Sequence, residues 1–175
     1  MRAAAIAFTA LALAACGGSD EQQGSADNTP SRPVPEQMSP DEQLAVLASL
    51  PAPYNTADLE NGRRRFAQCR SCHTLPEGGP NLVGPNLHGV FGREVGSKPG
   101  FNYSKPAQDA NFVWDGPKLD QWLTDPRGFL PGTKMVFPGI KDPNDRRDVV
   151  GYLMVESGYR PGGATAQPAA AQPAS

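Results

Sequence analysis

An all-α domain of a few helices joined by long loops is the fold that this sequence predicts. Within the domain, apolar residues recur at helical spacing in three separate stretches. No alternating run is long enough for a convincing strand. The loops are rich in glycine and proline, of which the 175 residues hold 19 each. Loops that long are unusual in a domain of about 100 residues unless a large apolar group fills the middle. Apolar residues make up 38% of the chain, below the usual globular share, so part of it lies outside any packed core. The net charge of −2 calls for no nucleic-acid partner.

The first element is an export signal over residues 1–15. Met1 and Arg2 give a weakly positive start, and Ala3 to Ala15 run AAAIAFTALALAA. The run is short of the roughly 20 apolar residues that span a bilayer, and it fits the core of a signal peptide. It ends in LAAC, Leu13 to Cys16, which resembles the lipobox of bacterial lipoproteins. There the cysteine becomes the lipidated N-terminus, and two or three acyl chains anchor firmly where one holds only marginally. Residues 16–53 then read as a lipidated start and a flexible acidic tether. From Gly17 to Pro53 there are six acids and one base. A coil of about 37 residues has a reach of roughly 35 Å. Inside it, SPDEQLAVLASL carries the signature of a short helix over 40–50, with Ser39 as N-cap, Pro40 first and Glu42 closing a capping box. Whether that helix docks on the domain or floats is open at this level.

The folded domain is expected over 54–159. Its first helix runs from Ala57 through Arg70, with Leu59, Gly62, Phe66 and Cys69 on one face. Thr74 to Tyr103 read as loops. Lys118 to Thr124 form a short helix that Pro126 stops, and residues 126–139 are loop again. Asp142 or Asn144 caps a last helix over Asp145–Ser157, with Val149, Tyr152 and Leu153 inward and Gly158 as the C-terminal stop. Residues 160–175 are low-complexity and read as a disordered tail.

The chemistry concentrates in QCRSCHT, residues 68–74. Cys69-x-x-Cys72-His73 is the spacing of c-type haem attachment. Cysteines three apart on a helix share a face, so both can meet one porphyrin edge as thioethers, and His73 can swing under the iron. A structural zinc would need a fourth ligand, and the only other histidine or cysteine of the domain is His88. A redox dithiol of the thioredoxin kind would want a βαβ context. Outside the cytosol two free thiols do not stay free, and three cysteines cannot all pair within one chain. For the opposite face of the iron the candidates are Met135, Met154, Met38 and His88. Met135 lies in FLPGTKMVFPGIKD, a loop bounded by Pro and Gly. Met154 falls in the last helix, where packing is the plainer reading.

Around CRSCHT, in order, stand GPNLHGVFGREVG, PGFNYSK, FVWD, LPGTKMVFPGIKD and DVVGYL. Over about residues 57–157 the chain resembles the class I cytochromes c, most closely their mitochondrial and bacterial c2 branch. The resemblance implies the class I cytochrome c fold, with few helices and long loops around one covalently bound haem c and its iron. Its first and last helices would cross, bringing Gly62 and Phe66 against Val149 and Tyr152. It implies Cys69 and Cys72 as thioether cysteines and His73 and Met135 as axial ligands. Pro85 would accept the His73 Nδ1 hydrogen. Arg93, Tyr103, Trp114 and Thr133 would tie down the propionates, and Leu87, Leu123, Phe137 and Ile140 would form pocket wall. Trp122 stands where eukaryotic members carry a tyrosine near the methionine sulfur. Arg70, Lys98, Lys118, Arg127, Lys134 and Lys141 are docking bases, while Gln68 and Asp142 stand where lysine is common.

The resemblance implies an electron-transfer protein rather than an enzyme, and together with the lipobox-like LAAC it gives the expectation of a monomeric one-electron carrier, lipid-anchored to a bacterial membrane in the periplasm. It would take electrons from a cytochrome bc1 complex to a cytochrome c oxidase or another periplasmic redox enzyme. Two other readings are a haem peroxidase-like enzyme, should Met135 dissociate readily, and a redox subunit docked permanently on one complex, with Leu44 to Leu50 as the clasp.

Overall fold

The computed structural model describes residues 38–160. The expected export signal, Cys16, the first part of the tether and the tail beyond 160 lie outside the described residues. Among the described residues six α-helices follow one another: α1 (Pro40–Ser49), α2 (Leu59–Phe66), α3 (Lys105–Asp109), α4 (Gly116–Thr124), α5 (Pro126–Phe129) and α6 (Pro143–Glu156), with a 3-10 turn at Tyr54–Thr56 between α1 and α2. Among the described residues there is no strand, only one bridge between Glu94 and Val113. The all-α expectation holds.

Local chemistry explains where the helices start. Ser39 accepts from the Glu42 N–H while Glu42 accepts from the Ser39 N–H at 2.7 Å, so the α1 capping box is formed. Asp58 caps α2 through the Asn61 N–H at 2.9 Å, Asp115 caps α4, and Asp142 caps α6 through the Asn144 N–H at 2.8 Å. Helix α2 is shorter than the periodicity predicts. After Phe66 the chain continues in single turns, with the Cys69 N–H on the Phe66 carbonyl at 2.8 Å and the His73 N–H on the Cys69 carbonyl at 2.9 Å. Helix α5 falls in the stretch read as loop over 126–139, and α3 in residues 104–117, for which no element is expected. Each has proline in its first turn, where the missing N–H costs nothing, so a residue that looks like a breaker opens a helix.

The core forms where α2 crosses α6. Asp148 to Val155 are buried consecutively, so α6 is covered on all sides. Phe66 meets Tyr152 with ring centroids 5.6 Å apart. Met154 is buried in this core. At the crossing, a Cβ on Gly62 would fall 2.6 Å from the Tyr152 Cβ and against the Asp148 carbonyl oxygen. Gly62→Ala should therefore cost about 3 kcal/mol through overpacking. The check is a urea melt whose midpoint drops at unchanged slope; an unchanged midpoint would mean that the crossing has slack.

Helix α1 docks on the domain. Leu50 is buried, Met38, Val46 and Leu47 pack on the core, and Gln43 Nε2 donates to Glu156 Oε1 at 3.0 Å.

Candidate functional site

Between the α2–His73 segment on one side and the loop after α5 on the other lies a cavity of about 290 Å³. It is small against the range of roughly 300–1,000 Å³ for cofactor sites, but it is lined mainly by apolar side chains, as such sites are. Cys69, Cys72 and His73 all line it, carried there by the single turns that follow α2. Cys69 and Cys72 are not joined in a disulfide.

The histidine is set for one task. Its Nδ1 lies 2.7 Å from the Pro85 carbonyl oxygen. That oxygen can only accept, so Nδ1 carries the hydrogen and Nε2 keeps a free lone pair. Burial pushes the ring's pKa down and the Pro85 bond opposes it only in part, so the imidazole is neutral and able to ligate. Gly84 lies flat against the ring: a Cβ there would sit 2.7 Å from both ring nitrogens. The Gly84 N–H donates to the Cys72 carbonyl at 2.8 Å, which binds the two segments together.

Met135 lines the same cavity. Its N–H donates to Thr133 Oγ1 at 3.2 Å. Lys134 Nζ donates to the carbonyls of Asn102 at 2.9 Å and Tyr103 at 3.1 Å, tying this loop to the segment opposite. Leu87, Leu123 and Phe137 add apolar wall. Ile140, expected there, is instead buried in the core, where its N–H donates to the Leu123 carbonyl at 2.7 Å.

Arg93, Tyr103, Trp114 and Thr133 also line the cavity. The Arg93 guanidinium donates to the carbonyls of His88 at 3.0 Å and Asn86 at 3.3 Å. Among the described residues it forms no ion pair. Burial lowers its pKa, as expected of a cation that lacks an anion. Beside the cavity, the backbone N–H of Trp114 donates to the Arg93 carbonyl at 2.9 Å. Trp122 lines the cavity within an aromatic cluster, 5.6 Å from Trp114 and 5.9 Å from Phe129 between centroids. Phe101, edge-on to Tyr103 at 4.7 Å, lines it too. Phe101 was legible in PGFNYSK, but Phe129 sat in a stretch read as loop.

The donor set suits a haem. Two thiols and a neutral imidazole stand on one wall, a thioether lines the same space, and a half-buried guanidinium lacks an anion. The rivals suit the geometry less. Among the described residues no three His, Cys, Asp or Glu side chains cluster as metal ligands would. Burial, with Cys72 nearby, pushes the Cys69 thiol up to about 11, the opposite of what a nucleophilic dithiol needs. His88 is off the cavity, its side chain 4.0 Å from Glu77.

Most expected docking bases are engaged. Lys98 donates to Asn86 Oδ1 at 3.2 Å, Lys141 to the Thr124 carbonyl at 2.9 Å, Lys118 pairs with Asp115 at 2.7 Å, and Arg70 reaches the Tyr152 hydroxyl at 3.3 Å. Val83 and Val136, both lining the cavity, are 81% exposed.

No protein-family model matches the chain. It is 42% identical over 106 residues to cytochrome c of Kluyveromyces lactis, covering 60% of this chain and 96% of that protein. It is 40% identical over 114 residues to cytochrome c2 of Rhodomicrobium vannielii, covering 65% and 91%. Among solved structures it is similar to cytochrome cH from Methylobacterium extorquens, with a TM-score of 0.52 and 42% identity, covering 55% of this chain and 97% of that one.

Proposed function

The chain belongs to the cytochrome c family, and from that premise we propose that it is a membrane-tethered periplasmic one-electron carrier in which His73 and Met135 would ligate the haem iron. Family membership makes it an electron-transfer protein rather than an enzyme, with one covalent haem c and its iron. When bound, the haem supplies one-electron exchange, and methionine ligation favours its ferrous state. One observation carries the ligand assignment: His73, whose Nδ1 is taken by Pro85, and Met135 line the same cavity as both cysteines.

The chain's own residues have distinct tasks in this reading. Cys69 and Cys72 would hold the haem covalently as thioethers. Pro85 fixes the ring plane and tautomer of His73 and makes it a better donor. Thr133 and Lys134 brace the Met135 loop. Arg93, with Tyr103, Trp114 and Thr133 nearby, receives the propionates, since a carboxylate in an apolar pocket is costly unless paired or hydrogen-bonded. Leu87, Leu123, Phe137, Trp114 and Trp122 exclude water.

In the same reading Cys16 carries the lipid, and the acidic segment behind it keeps the domain near membrane partners at high local concentration. The donor is a cytochrome bc1 complex and the acceptor a cytochrome c oxidase or another periplasmic redox enzyme. What supports the route is the likeness to cytochromes c and c2. The permanently docked subunit is the weaker reading, because Val46, Leu47 and Leu50 of the supposed clasp pack on the chain's own core.

The test is a redox-titrated optical spectrum of haem-loaded protein beside Met135→Ala. The oxidised wild type should show the far-red sulfur-to-iron charge-transfer band and titrate as one high-potential electron, and the variant should lose both. A wild type that lacks the band and binds cyanide at once would sink the assignment.

A further inference from the structure

We propose that Asn86 is a positioning residue for the axial imidazole: it sets the hydrogen bond between His73 and Pro85 and through it the redox midpoint. The inference rests on His73 being an iron ligand, as proposed above.

Asn86 has no exposed surface, which is uncommon for an asparagine. All its polar groups are engaged. Nδ2 donates to the Thr74 carbonyl at 3.2 Å, to Thr74 Oγ1 at 2.8 Å and to the Pro76 carbonyl at 2.9 Å. Oδ1 accepts from the His88 N–H at 3.1 Å and from Lys98 Nζ at 3.2 Å. The Asn86 N–H donates to Asn81 Oδ1 at 2.9 Å, and its carbonyl accepts from Arg93 Nη2 at 3.3 Å.

The places of these bonds carry the argument. Thr74 directly follows His73, and Asn86 directly follows Pro85. One side chain thus ties the backbone beside the imidazole to the backbone beside the carbonyl that the imidazole meets at 2.7 Å. Two further backbone bonds complete the clamp: the Gly84 N–H on the Cys72 carbonyl at 2.8 Å and the Leu87 N–H on the Thr74 carbonyl at 2.8 Å. A firmly held Nδ1–H···O bond leaves more negative charge on the ring and makes Nε2 more basic. That favours ferric iron. If the clamp loosens, the bond lengthens, the ring donates less and the ferrous state gains.

The experiment compares haem-loaded wild type with Asn86→Ala and with Thr74→Val. The second change removes the Oγ1 acceptor and leaves Asn86 in place. The midpoint is read by redox titration, and exchange of the His73 Nδ1 proton by NMR of the oxidised protein. Both variants should shift toward the reduced form, by about tenfold for Asn86→Ala, or about 59 mV for one electron. Proton exchange should quicken, and the far-red band should persist. A drop in stability with wild-type midpoint and exchange would overturn the proposal and make Asn86 a brace of the loop alone. Should Asn86→Ala fail to fold, Thr74→Val decides by the same two readings. A wild type without the far-red band is a separate failure, of the ligand assignment itself.

Discussion

Gly84→Ala is expected to dislodge the axial imidazole while leaving the haem covalently attached. The added methyl would sit 2.7 Å from both nitrogens of the His73 ring, inside van der Waals contact. Neither partner can retreat cheaply. Pro85, the next residue, holds the ring at 2.7 Å through Nδ1, and the Gly84 N–H holds the Cys72 carbonyl at 2.8 Å. The ring must therefore rotate off Pro85, or residues 82–86 must lift away from Cys72. Either way the hydrogen bond that makes the imidazole a good donor is lost and Nε2 no longer faces the iron site. Loss of such orientation typically weakens ligation by about 10–100-fold. The checks are the ferric optical spectrum and the rate of cyanide uptake. The variant should lose the six-coordinate spectrum and take up cyanide at least about tenfold faster. A wild-type spectrum with wild-type uptake would show that the ring has room to spare.

Gly84 also marks what could be read from the sequence and what could not. The residues expected around the haem, Cys69 through Phe137, line one cavity because each sits in a motif whose chemistry or family likeness names it. Helix starts were legible where a cap is local: Ser39 with Glu42, and Asp142 before α6. Proline is misleading at Pro126, which reads as a stop followed by loop yet opens a helix, and Pro106 opens another that no periodicity marks. The docking of α1 was not legible, since Gln43 finds Glu156 across 113 positions and nothing local to either predicts it. Nothing local marks Gly84 and Asn86 either. In GPN they look like residues of a turn, and their roles depend on the approach of the His73 segment. Lys98, Lys134 and Lys141 read as free surface cations, yet each reaches an oxygen of a neighbouring loop. Which lysines are spent inside the fold is a tertiary property.

The largest stability loss is expected at Asp148. This carboxylate is buried, at 3% exposure, in the α2–α6 crossing. Its Oδ1 accepts from the Asp58 N–H at 3.1 Å and from Arg147 at 2.7 Å, and its Oδ2 accepts from Asn61 Nδ2 at 2.8 Å. Asp58 is itself the N-cap of α2, so one side chain of α6 holds the start of the helix that leads to Cys69. Truncation to alanine takes this acceptor from the Asp58 N–H, Arg147 and Asn61, of which Asn61 alone keeps another carboxylate, Asp145 Oδ1 at 2.9 Å. The expected cost is about 4 kcal/mol, a large share of the roughly 5–15 kcal/mol that a domain has. The pH dependence gives a second handle. Burial alone would raise the pKa of Asp148, but the hydrogen bonds from Asn61, Arg147 and Asp58 outweigh it and hold the pKa below the ordinary 3.8. A depressed folded-state pKa means that the unfolded chain takes up the proton first. The contribution is therefore complete well above 3.8 and drains away as the pH falls through the lower folded value. Asp148→Asn keeps the shape but cannot titrate, and its amide would point hydrogens at those of Asn61. Urea melts of both proteins at neutral pH and near pH 3 should show a gap that narrows in acid. A gap independent of pH would mean that Asp148 acts through shape and packing rather than through its charge.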